Sequence, residues 1–197
     1  MRFLHKAPGL PKSIAVLAGA FNPPTTAHVA LAESALTIVD EVVLAIPRSF
    51  PHKQFEGATL DQRLAMLKRI AEGHAGFSVG VAEGGLFAEI AREARVHYPG
   101  AEMFLLCGRD AAERILTWDY SDPEFVDKML REFGLLVAPR GGEYVPPERF
   151  RHAIRSLSSG NYDDCSSTRL RETIRESENW RELVPEAIAG MVEKIYR

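Results

Sequence analysis

The chain has 197 residues, 46% hydrophobic and 26% charged, which suits one globular domain long enough to bury a full core. A net charge of −3 and a pI near 6.1 argue against general nucleic-acid binding, which shows as a basic stripe. No apolar run reaches the ~18 residues of a membrane span.

Met1 to Lys12 carries basic residues but no apolar signal core. It reads as a loose extension ahead of one domain spanning 13–197, in a cytoplasmic protein. Cys107 and Cys165 lack metal-type spacing and read as reduced thiols, so no metal site is expected. Ile14–Ala18 is an apolar β-type run, and a helical pattern extends from Val29 to about Asp40. Glu41–Pro47 reads as a second, largely buried strand, followed by the loop Arg48–Lys53. Thr59 or Asp61 caps a helix to about Glu72. Phe77–Ala82 is a short strand, Gly84-Gly85 opens a helix from Leu86 to about His97, and Pro99-Gly100 ends it.

Met103–Cys107 is a strong buried strand closed by Gly108-Arg109-Asp110. A helix, the pair Thr117-Trp118 and a second helix from about Asp122 to Phe133 follow. Leu135–Ala138 is the next strand, and Arg140–Pro147 a surface loop. Over 148–162 a strand near His152–Leu157 competes with a helix. Ser166 or Ser167 starts a helix to about Glu178, and Pro185–Tyr196 forms the last. Strands alternating with helices mean a parallel sheet covered on both faces, with ligands beyond the carboxyl ends of its strands. Gly19–His28, Arg48–Lys53 and Gly108–Asp110 then share one rim.

Between the first strand and helix stands Gly19-Ala20-Phe21-Asn22-Pro23-Pro24-Thr25-Thr26-Ala27-His28. Gly19 allows a sharp turn, and the paired prolines keep 22–25 out of a helix. Thr25 or Thr26 supplies an N-cap oxygen. His28 falls in the first turn, beside free N–H groups and the positive end of the helix dipole, a ready phosphate site. A second such site is Cys165-Ser166-Ser167-Thr168-Arg169-Leu170-Arg171. Arginines in a first turn oppose the helix dipole unless an anion binds there.

The first stretch resembles the signature of nucleotidyltransferases related to class I tRNA synthetases, and more closely that of nicotinate and nicotinamide mononucleotide adenylyltransferases. Many members carry His-x-Gly-His; Thr25-Thr26-Ala27-His28 keeps the second histidine. The second stretch is similar to the family's Ser-Ser-Thr-x-x-Arg, which implies that Ser166, Ser167, Thr168 and Arg171 hold the triphosphate of ATP, with Arg169 at a variable position. Pro51-His52-Lys53 resembles a family piece, and His52 and Lys53 would meet a substrate phosphate. Gly108-x-Asp110 with Thr117-Trp118 also matches: Asp110 would accept from a ribose hydroxyl, and Trp118 would stack on a ring unless it packs in the core.

The resemblance implies a Rossmann-like doubly wound sheet with C-terminal helices, in which His28 and Thr25 meet the α-phosphate and Gly19 and Phe21 line the ATP site. It implies ATP as substrate with Mg²⁺ carried on its phosphates, and a small mononucleotide, foremost nicotinate mononucleotide, as acceptor. It leaves a homo-oligomer open. The family's Ser-Tyr-Thr segment is replaced by Gly84-Gly85-Leu86-Phe87-Ala88-Glu89, which bears on the acceptor. The competing readings are a cytidylyltransferase-like or other nucleotidyltransferase with a different acceptor, and a non-catalytic nucleotide-binding protein. Gly76-Phe77-Ser78-Val79-Gly80 matches the serine-hydrolase pattern, but a helix precedes it and Ser78 lies within a strand, so the match is a coincidence.

Overall fold

The computed structural model describes residues 1–48, 57–139, 143–158, 166–176 and 179–197. Among the described residues seven strands form one sheet: β1 (Arg2–His5), β2 (Ser13–Ala18), β3 (Glu41–Pro47), β4 (Phe77–Ala82), β5 (Glu102–Gly108), β6 (Gly134–Ala138) and β7 (Ile154–Ser156). Their order is β1-β4-β3-β2-β5-β6-β7, all parallel except β1. The parallel part runs outward in both directions from β2 and β5, the doubly wound arrangement of a Rossmann-like fold.

The helices are α1 (Thr26–Ala35), α2 (Leu60–Ala71), α3 (Phe87–Arg95), α4 (Arg109–Thr117), α5 (Phe125–Glu132), α6 (Ser167–Glu176) and α7 (Glu186–Tyr196). Alternation along the strands divides the core in two. Ala15 and Leu17 of β2 face α1, α2, α6 and α7, whereas Ile14 and Val16 face α3, α4 and α5. Strands buried on both sides account for the near-continuous apolar runs.

Three local expectations change. The first residues, expected to be a loose extension, supply β1, which pairs Arg2 with Val81 and Phe3 with Gly80. Four residues of edge strand are too short for their alternation to register in sequence. Helix α1 stops at Ala35, short of Asp40. The Asp40 carboxylate instead accepts from the Lys12 and Ser13 N–H groups at 2.8 and 2.9 Å, which ties it to the start of β2 and holds it below the usual carboxylate range. Over 148–158 the strand wins: a 3-10 turn at Glu148–Phe150 leads into β7, whose Ile154 pairs with Leu135.

At the amino ends of β3 and β4, away from the ligand rim, Glu41 is buried with its carboxylate oxygen accepting from Ser78 Oγ at 2.5 Å and from the Tyr98 hydroxyl. Ser78 Oγ in turn accepts from the Ala7 N–H at 2.8 Å. Ser78 is therefore a buried structural hydroxyl, in keeping with the hydrolase pattern being a coincidence. Ser78→Ala leaves the Ala7 N–H without this acceptor and Glu41 one donor poorer, for a loss of about 1–3 kcal/mol. Thermal melting should show the loss, with turnover of the folded variant intact.

Candidate active site

The loop between β2 and α1 lies at the switch point, where the sheet order reverses between β2 and β5. Gly19 N–H still continues the ladder, donating to Ala45 O at 3.0 Å. Beyond it, side chains from distant elements hold the loop carbonyls. Arg63 of α2, 6% exposed, donates to Ala20 O at 2.9 Å. Arg171 of α6 donates to Asn22 O at 2.5 Å, and Ser167 to Pro23 O at 2.8 Å. The buried Asn22 side-chain oxygen accepts from Ala58 N–H at 3.2 Å and from the Tyr196 hydroxyl of α7. Phe21 is buried at φ 47°.

Thr25 is the N-cap of α1, and His28 takes the third helical position that glutamate or glutamine fills in a capping box. Thr25 Oγ1 accepts from His28 N–H at 3.4 Å, and Thr25 N–H donates to His28 Nδ1 at 3.1 Å. A backbone N–H can only donate, so Nδ1 is an acceptor and the ring proton sits on Nε2. Thr25 Oγ1 lies 2.7 Å from the same nitrogen. Burial lowers the imidazole pKa from 6.5 to about 4, so the ring is neutral near pH 7. His28 is a neutral N–H donor with its tautomer held by its own helix cap. Thr25→Val removes the cap oxygen, for a loss of about 1 kcal/mol, and leaves the ring less firmly oriented. Melting should fall by a few degrees, while turnover falls about tenfold, more than the stability loss explains.

The first turns of the helices separate by charge. Helices α2, α3, α4, α5 and α7 carry Asp61, Glu89, Asp110, Asp127 and Glu186 there. Helices α1 and α6 carry no acidic residue in theirs. The start of α6 is joined to the loop that leads into α1, Ser167 donating to Pro23 O and Arg171 to Asn22 O. Positive helix ends with arginine and hydroxyls beside them have the donors and the sign of charge to take an anion. Ser166 and Thr168 stand exposed at this end of α6, and Arg171 Nη2 reaches Thr168 Oγ1 at 3.4 Å. The structure places Ser166, Ser167, Thr168 and Arg171 together at the start of α6, and Ser167 and Arg171 also grip the loop.

Across the switch point, Gly108 precedes α4, and a Cβ built there meets nothing within 4 Å. Asp110 is exposed in the first turn of α4. Arg109 Nη2 donates to Glu143 O at 3.2 Å, with the guanidinium 5.8 Å from the Tyr144 ring centre. Trp118 is 65% exposed at the end of α4, so its core-packing reading is set aside. It borders a cavity of about 370 Å³ with Tyr120, Asp119, Asp122, Arg149 and Phe150. His52 and Lys53 lie outside the described residues, as does Cys165. Cys107 is buried, which pushes its thiol up to about 12.

At the carboxyl end of β4, four successive N–H groups meet the chain's own carboxylates. Glu93 accepts from Glu83 and Gly84 at 3.0 and 2.7 Å, and Glu89 from Gly85 and Leu86 at 3.0 and 3.1 Å. A Cβ at Gly84 would stand 2.6 Å from Glu89 Cβ, so glycine is what lets the turn close on these side chains. This is the segment that departs from the family pattern. Sequence reasoning also passed over Arg63 and Tyr196, since nothing in their neighbourhoods sets them apart from ordinary helix residues.

The relatives of this chain define its class, a nucleotidyltransferase. The model of the family described as Cytidylyltransferase-like matches residues 16–173, most of the chain, and the chain belongs to that family. Among relatives, one from Geobacter sulfurreducens is 31% identical, covering 92% of this chain and 96% of its own. One from Gemmatimonas aurantiaca is 28% identical, covering 91% and 89%. Both carry the name "probable nicotinate-nucleotide adenylyltransferase". The fold is shared with the nicotinic acid mononucleotide adenylyltransferase of Plasmodium falciparum in complex with NaAD, at a TM-score of 0.68, with 17% identity and coverage of 93% and 95%. No helix among the described residues is long and apolar enough to cross a membrane.

Proposed function

We propose that this chain transfers the adenylyl group of ATP to the phosphate of nicotinate mononucleotide, in the cytoplasm and as a step of NAD biosynthesis. A phosphate oxygen of the acceptor attacks the α-phosphorus in line. The bond from that phosphorus to the oxygen bridging toward the β-phosphate breaks, and pyrophosphate leaves beside a dinucleotide. Such chemistry needs positioning and charge stabilisation, with no covalent enzyme intermediate. The observation that carries the reading is the neutral Nε2–H of His28, oriented by Thr25 before charge develops on the α-phosphate.

Ser166, Ser167, Thr168 and Arg171 hold the β- and γ-phosphates. Gly19, Phe21 and Gly108 border ATP, and Asp110 accepts from a ribose hydroxyl. The exposed indole of Trp118 stacks on a ring. His52 and Lys53 take the acceptor phosphate. Mg²⁺ would be carried by the triphosphate and would supply charge neutralisation there, with no protein ligand assigned to it. The relatives' names support the nicotinate acceptor, and a homo-oligomer is compatible with this arrangement.

The test is pyrophosphate release with ATP and Mg²⁺, offering nicotinate mononucleotide, nicotinamide mononucleotide and phosphopantetheine in turn, with CTP replacing ATP in a parallel set. Release should be fastest with ATP and nicotinate mononucleotide. Faster release with another acceptor or with CTP overturns the assignment. Silence in every pair, with ATP still bound, makes the chain a non-catalytic nucleotide-binding protein.

A further inference from the structure

The last helix reaches the substrate loop through one side chain. Tyr196 donates its hydroxyl to the side-chain oxygen of Asn22, 174 residues away, and the Ala58 N–H donates to the same oxygen at 3.2 Å. Because that N–H can only donate, the amide of Asn22 is held in one orientation. The ring of Tyr196 is wedged beside Gly57, where a Cβ would stand 2.7 Å from Cε1. Gly57 itself has φ 101°, in the region open to glycine.

Asn22 stands at the strained part of the loop. Phe21, immediately before it, has φ 47°, a backbone region costly for an aromatic residue that persists where surrounding contacts over-determine it. Arg63 and Arg171 hold the flanking carbonyls of Ala20 and Asn22, and Tyr196 holds the Asn22 side chain between them. Burial pushes the Tyr196 hydroxyl up to about 12, against the opposing pull of the Ala58 N–H, Arg171 and Arg63, so it keeps its proton to donate.

Resting on the adenylyltransferase reading, we infer that Tyr196 is a positioning residue: through Asn22 it holds the loop from Ala20 to Thr25 in the shape that binds ATP. It touches no reacting atom. Its loss lets the loop relax, and ATP binding must then reorder it.

Tyr196→Phe keeps the ring and removes the hydroxyl. Calorimetric titration with ATP and Mg²⁺, without acceptor, should show affinity lowered about fivefold to tenfold, with the melting temperature within about 3 °C of the parent. Lys194→Ala, exposed on the same helix, serves as the neutral control. In an Asn22→Ala background the Tyr196→Phe change should have no further effect on ATP affinity. Unchanged ATP affinity with a lowered melting temperature assigns Tyr196 to packing alone and overturns the inference. So does an equal loss in both backgrounds. A parent that binds ATP but releases no pyrophosphate overturns the proposed function while leaving this comparison decisive; a parent that binds no ATP overturns both.

Discussion

His28→Ala should fold normally and lose about a thousandfold in kcat, the scale for removing one pre-oriented donor from a developing oxyanion. The same change frees Thr25 N–H from its acceptor, so part of the capping box goes with it. His28→Gln separates the two effects, because glutamine is a normal capping-box partner. Its melting temperature should return to the parent's while kcat stays more than about tenfold down. An alanine variant within tenfold of the parent removes His28 from the mechanism.

The pH dependence of the same residue has a definite sign. His28 titrates near 6.5 in the unfolded chain and about 4 in the folded one, because burial disfavours the charged ring. Between those values the unfolded chain binds a proton that the folded chain refuses, so stability falls as pH drops from 6.5 toward 4. The parent should lose more melting temperature than His28→Gln between about pH 7 and 5. Turnover should show no titration of His28 above about pH 6.

Arg171→Ala should lower kcat/KM about a hundredfold, from charge-assisted hydrogen bonds lost to the loop carbonyl and to phosphate. Both KM for ATP and kcat should move, since the group serves a ligand and the loop together. Arg171→Lys should recover less than about a tenth of the loss. An ammonium cannot hold the Asn22 carbonyl and a phosphate with one planar fork. Arg169→Ala, exposed one position from Leu170 on the same helix, should stay within about twofold. Equal losses at 169 and 171 would mean that general positive charge, rather than the geometry of Arg171, holds the triphosphate.

Much of the fold was legible because its signals are local. Parallel strands buried on both faces write themselves as unbroken apolar runs, as in Val42–Ile46 and Met103–Cys107. Cap residues act within one turn, so each cap could be narrowed from its own neighbours to two candidates, of which the structure takes Thr25, Thr59 and Ser166. The histidine three residues after Thr25, and the two arginines beginning a helix against its dipole, are likewise local features, readable within one turn of sequence. The β1 strand and the early end of α1 escaped, since an edge pairing and the reach of Asp40 to Lys12 and Ser13 depend on partners 27 residues or more distant.

The sequence by itself therefore determined the α/β alternation, the turns at the carboxyl ends of β2 and β5, and which side chains stand there to offer their chemistry. Tertiary structure alone decided what holds that chemistry in place. Arg63, Arg171 and Tyr196 converge on Ala20 and Asn22 from three helices, and only closure of the sheet brings those helices together. It also decided that the donors at 83 and 84 are filled by Glu93 of α3. A backbone donor outside a ladder takes whichever acceptor the packing delivers, and for a distant acceptor that choice is made in three dimensions.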